Sequence, residues 1–86
     1  MPEVVHNAAA GRFEIAVGKQ TAVLEYTRSG GTITFVHTGV PPELERRGFG
    51  SQLAGAGLEY AKREGLRVVP QCPFVRAYMK RHPELA

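Results

Sequence analysis

The sequence predicts a mixed α/β fold: an antiparallel three-strand meander, a helix, a parallel fourth strand and a C-terminal helix. Three observations carry this expectation. Apolar residues alternate up to about residue 40 and follow helical spacing after it. Short glycine turns join the first strands, which makes neighbours antiparallel. A long helical segment then separates two β-like runs, and a strand–helix–strand unit pairs its strands in parallel.

Phe13, Ile15 and Val17 alternate with Glu14 and Ala16, and Gly18-Lys19 marks a turn. Ala22, Leu24 and Tyr26 alternate with Val23 and Glu25, and Ser29-Gly30-Gly31 makes the next turn. Ile33, Phe35 and His37 alternate with Thr34, Val36 and Thr38, a segment rich in β-branched residues. On an unbroken strand His37 shares the face of Ile33 and Phe35. Val4 to His6 is a further short candidate strand. Pro41-Pro42 forbids a continuing interior strand. Leu53, Ala54, Gly57, Leu58 and Ala61 fall on one face of a helix, which Gly65 is placed to stop. Leu66 to Val69 reads as the fourth strand, and Pro73 suits the first turn of a last helix running to about Arg81, before Pro83.

At 86 residues the chain reads as one domain, residues 1–86, with a thin core. Any site therefore lies in an open groove or is completed by a partner, and a monomer or weak homodimer is expected. A hydrophobic share of 43% against 22% charged residues excludes disorder. The net charge of +3 suits an anionic ligand but is too small for a nucleic-acid binder, and no aromatic-interleaved basic stripe supports one. The single cysteine, Cys72, cannot form an internal disulfide, which points to a reducing compartment. No run approaches the ~20 apolar residues of a membrane span, and Met1-Pro2-Glu3-Val4 does not begin like a secretory leader. The expectation is a cytoplasmic protein without membrane or nucleic-acid partners. His6, His37 and His82 have no metal-ligand spacing, so no metal site is expected.

The segment with most chemical content is Arg46-Arg47-Gly48-Phe49-Gly50-Ser51, between a strand and a helix. A helix N-terminus presents unpaired N–H groups and partial positive charge. Gly48 and Gly50 allow close approach to that backbone, and Arg46 and Arg47 add formal charge. The segment is neither a P-loop nor a dinucleotide fingerprint, since Gly-Lys-Ser/Thr and the third glycine are missing. Alone it supports two readings, a pyrophosphate cradle or a glycine turn with solvated arginines.

Its context resembles the GNAT superfamily of acetyltransferases, in particular the short single-domain GNAT-like N-acetyltransferases. The features that carry the resemblance are His37-Thr38-x-Val40-Pro41, Arg47-Gly48-x-Gly50-Ser51, Val69-Pro70-x-Cys72-Pro73-Phe74 and His82-Pro83-Glu84, in that order. The resemblance implies an acetyl-CoA-dependent acyltransferase that moves an acetyl group to an unidentified amine by direct attack on the thioester. The alternative is a CoA-binding or protein-interaction module with little or no turnover. On this resemblance the backbone from Arg47 to Ser51 holds the CoA pyrophosphate. Thr38, Val40 and Cys72 lie beside a splay between the third and fourth strands, where the pantetheine arm would run. One departure stands out: the Arg or Gln usual three residues before the first glycine is Glu45 here, expected to point to solvent, and Arg46 occupies a place where glycine is common.

Three residues are catalytic candidates, each with a plainer role beside it. Cys72, ahead of a helix N-terminus, is an acyl acceptor or proton relay, or a buried structural thiol. His37 is a general base or a core-edge histidine with a satisfied hydrogen bond. The resemblance makes Tyr78 the acid that protonates the leaving thiolate; otherwise it caps the core. Lys80, with Arg81, is a contact for the 3′-phosphate of CoA or a solvated basic helix end. Phe49 reads as a packing residue within the cofactor loop.

Overall fold

The alternating segments pair through their turns into one sheet. A computed structural model, which describes residues 2–85, contains β1 (Val5–Asn7), β2 (Arg12–Val17), β3 (Gln20–Ser29), β4 (Thr32–Gly39), α1 (Phe49–Arg63), β5 (Arg67–Pro70) and α2 (Pro73–Arg81). Strand order is β1-β2-β3-β4-β5, antiparallel from β1 to β4 and parallel between β4 and β5. The meander, the crossover helix and the parallel strand are those the pattern predicts, and β1 adds the short strand at the edge.

Helix α1 ends where Gly65 takes φ +66°. Leu66 N–H reaches the Ala61 carbonyl at 2.8 Å, and Gly65 N–H reaches that of Lys62 at 3.2 Å. Two otherwise orphaned carbonyls are thereby satisfied, and only glycine adopts this turn without strain.

Both helices pack on one face of the sheet. Phe13, Leu24, Tyr26, Ile33 and Phe35 point into that layer and meet Leu53, Leu58 and Val75. The other face is bare: Val69, whose register partner is Thr34, is 40% exposed. At the β1 edge His6 stacks on Phe13 with ring centroids 4.2 Å apart and meets Tyr26 Oη at 2.5 Å. Burial and then the Arg63 charge hold its imidazole below the ordinary value, which favours the neutral ring in this hydrogen bond.

Register breaks once. Glu25 pairs with His37 and Tyr26 with Phe35, which leaves Val36 as an extra residue in β4. This bulge reverses the parity of the strand. His37 therefore does not share the face of Ile33 and Phe35, as an unbroken strand would require; it is exposed on the outer face, and Thr38, opposite Leu24, turns toward the helices.

Helix α1 lies close to its neighbours because of its glycines. A Cβ on Gly57 would stand 2.8 Å from a ring carbon of Phe35 and 3.1 Å from a methyl of Leu24, both fully buried. Gly57→Ala is expected to lower stability by about 1–3 kcal/mol through overpacking, although alanine favours the helix itself by about 1 kcal/mol. Chemical denaturation of the two proteins measures the difference.

Candidate active site

Where β4 ends, Pro41 and Pro42 leave the sheet and a single 3₁₀ turn, Pro42–Leu44, inserts Leu44 into the core at 3% exposure. That anchor fixes the next residues. Arg46 has φ +66° and Gly48 has φ +81°, so the chain turns through left-handed conformations before α1 begins. Gly48 is the N-cap, and Gln52 N–H closes the first helical bond on its carbonyl at 3.0 Å. No side chain caps this end, and no acidic residue sits in the first turn. The Phe49, Gly50 and Ser51 amides are left as donors at the positive end of the helix. A left-handed residue followed by helical ones forms a concavity of N–H groups suited to an anion.

This helix end opens into a groove of about 570 Å³ whose wall includes Thr38, Gly39, Val40, Leu44, Glu45 and Phe74 besides the loop itself. The groove follows β4 beyond its last β5 partner. Pairing with β5 stops at Phe35 opposite Pro70, while β4 continues to Gly39. The β5-side edge of residues 36–39 thus has no strand beside it, although the Thr38 amide is turned to the Cys72 thiol.

The predicted cofactor residues converge here. Thr38, Val40, Arg46, Gly48, Phe49, Gly50 and Ser51 all line the groove. Arg47 belongs to the same turn and is exposed, but is not part of the wall. Lys80 does not join them: it sits exposed in the last turn of α2, where a cation favours the macrodipole. Four wall residues were not assigned from the sequence: Gly39, Leu44, Glu45 and Phe74. Phe74 is 38% exposed, and its ring seats against Gly50, where a Cβ would come within 2.8 Å of it. Glu45, expected to point to solvent, is exposed yet forms part of the groove wall.

The catalytic candidates occupy three separate environments. Cys72 is 5% exposed, and its Sγ lies 3.1 Å from Thr38 Oγ1, so the threonine stands between the thiol and the groove. Burial alone would push this thiol up. The Thr38 hydroxyl, with the Val75, Phe74 and Thr38 amides, outweighs burial and holds it below the ordinary cysteine value, although no completed side-chain cap forms at α2. Tyr78 is 8% exposed and stacked on His82 at 4.2 Å; its hydroxyl lies against Gly55 of α1, in a second, shallower groove with Val4, Gln52 and Glu59. His37 stands outside, its Nε2 3.1 Å from where a Gly39 Cβ would be. Among the described residues no group of three or more His, Cys, Asp and Glu is placed to hold a metal, and no helix is long and apolar enough to cross a membrane.

The profile of the GCN5-related N-acetyl-transferase family matches residues 12–86. The chain belongs to that family. The matched segment spans the sheet from β2 onward, the crossover helix and the glycine-flanked helix start, while β1 precedes it. Membership supports acyltransferase chemistry, and acetyl-CoA is the typical donor in the family. No curated protein matches the chain.

Two outcomes follow from this geometry. Arg46→Gly is expected to raise stability by up to about 1 kcal/mol, because left-handed strain of roughly 1–2 kcal/mol is relieved and glycine's extra unfolded-state entropy offsets only part of it; thermal melts check this. Thr38→Val is expected to move thiolate formation by Cys72 to higher pH, followed by ultraviolet absorbance. A lowered folded pKa contributes stability above the unfolded thiol pKa and loses it as pH falls through the folded one. The stability deficit of Thr38→Val is therefore larger in alkali than at neutral pH.

Proposed function

We propose that the chain, residues 1–86, acts as one acetyl-CoA-dependent N-acetyltransferase unit. The observation that carries this reading is the uncapped start of α1, flanked by Gly48 and Gly50, opening into a groove that continues along the free edge of β4. The residues present fit the cofactor. The Phe49, Gly50 and Ser51 amides suit a diphosphate, Arg46 and Arg47 supply charge, and Val40, Leu44, Phe49 and Phe74 give an apolar wall. Acetyl-CoA supplies an acyl thioester that an amine attacks directly.

The chain's own contribution is positional. No strand covers the β5 side of β4 beyond Phe35, and the backbone groups there other than the Thr38 amide suit pairing with an extended amide-bearing arm. Backbone N–H groups also polarise a carbonyl, and holding two reactants together removes much of the entropic barrier. Thr38 faces the groove with its hydroxyl tied to Cys72. This supports reading Cys72 as a positioning residue and proton relay, because acyl acceptance would require access to a thiol only 5% exposed. The placement of Tyr78 against Gly55 supports a packing role between α1 and α2. His37 suits a base only for an amine that arrives from the outer face of the sheet. No helix covers the outer face of the sheet among the described residues, and this favours a second reading, a CoA-binding module with little turnover.

Calorimetric titration with acetyl-CoA is expected to show one equivalent bound by the wild type and none by Gly48→Glu, which puts a carboxylate in the cradle. A thermal melt confirms that the variant folds despite the φ +81° it inherits. Amine-dependent release of CoA above background hydrolysis distinguishes the transferase from the binding module. An absence of binding at millimolar ligand overturns both.

A further inference from the structure

The groove that collects positive charge also carries a carboxylate. Glu45 follows directly on the turn that buries Leu44, and its own N–H is bonded to the Pro42 carbonyl at 3.3 Å, so its backbone is held. It lines the groove with Arg46, Gly48, Gly50 and Ser51, and its side chain is exposed. Among the described residues the ion pairs are Arg12–Glu14, Arg28–Glu64 and His82–Glu84; Glu45, Arg46 and Arg47 are in none. The carboxylate is therefore not neutralised by a fixed partner, and it belongs to a residue that lines the groove onto which the α1 amides open. An anion held by those amides is within the field of that like charge.

We propose that Glu45 sets the upper limit on how tightly this groove holds the diphosphate end of its ligand. The inference rests on the cofactor reading above. Donor and product share that diphosphate end, so Glu45 weakens both alike and leaves their competition unchanged. The residue thus acts on the exchange of the cofactor rather than by touching the acyl group. Because the carboxylate is solvent-exposed, its effect is moderate and screened by salt, about three- to tenfold in affinity at low ionic strength.

The test compares wild type, Glu45→Gln and Glu45→Asp by calorimetric titration with CoA, at low salt and at several-fold higher salt. Glu45→Gln is expected to bind CoA about three- to tenfold more tightly at low salt, with the advantage shrinking as salt rises. Glu45→Asp, which keeps the charge, is expected to stay near the wild type. Dephospho-CoA, which retains the diphosphate but lacks the 3′-phosphate, is expected to show the same gain. A gain absent at low salt, shared equally by Glu45→Asp, or lost with dephospho-CoA overturns the assignment. If none of the three proteins binds CoA, the cofactor reading falls and this inference with it; if all bind equally, only the inference falls.

Discussion

The extra residue in β4 is the constraint on which the site depends. Without Val36 out of register, residues beyond Phe35 would keep the strand's original parity. Thr38 would then face away from the helices, and Cys72 would lose the hydroxyl that now lies 3.1 Å from its sulfur. His37 would enter the core layer, where an imidazole needs a buried hydrogen-bond partner. The bulge sits where β5 is about to end. Pro70 is the last β5 residue in register and has no N–H to give, and the ladder closes with Cys72 N–H on the Phe35 carbonyl at 2.9 Å. The free edge of β4 and the inward turn of Thr38 therefore arise at the same point of the chain.

The second requirement is that α1 be placed firmly enough for its N-terminus to form the end of that groove. Glycine inside a helix costs about 1 kcal/mol relative to alanine. Gly55 and Gly57 lie inside α1, and Gly50 in its first turn. Each lies against an aromatic ring: Phe74 on Gly50, Tyr78 on Gly55 and Phe35 on Gly57. Two of those rings come from α2, one helical turn apart, so the same packing that brings α1 down on the sheet locks it to α2. In a chain this short, with one helical layer and a thin core, close backbone approach replaces bulk. Dispersion attraction at such distances offsets the weaker intrinsic helix preference.

Much of this was legible in the sequence because it depends on local periodicity. Alternation placed Phe13, Leu24 and Phe35 in the core, Gly65 ended α1, and the Arg-Arg-Gly-Phe-Gly-Ser run marked the helix start that opens into the groove. The bulge was not legible. Val36-His37 has no glycine or proline to announce a register break, and the shift is visible only against Glu25-Tyr26 on the neighbouring strand. The same holds for Phe74 and Tyr78, whose directions are set by glycines more than twenty residues earlier in the chain. Arg46 is the opposite case. The resemblance puts glycine at this position, and Arg46 adopts a φ of +66° that glycine would take with less strain.

The chemistry follows from which groups face the groove. Its polar features combine the amides opening α1 and the end of β4 that no strand covers with the residues Thr38, Glu45, Arg46 and Ser51. The three catalytic candidates named from the sequence do not line the groove: Cys72 bonds to Thr38, Tyr78 lies against Gly55 and His37 is on the outer face. A site of this kind suits a reaction whose electrophile arrives already activated, because positioning and carbonyl polarisation are then the main demands. A thioester is such an electrophile. Backbone donors are fixed by the fold and need no side-chain ordering when the ligand binds, which lets one sheet and two helices carry the task without an enclosed pocket.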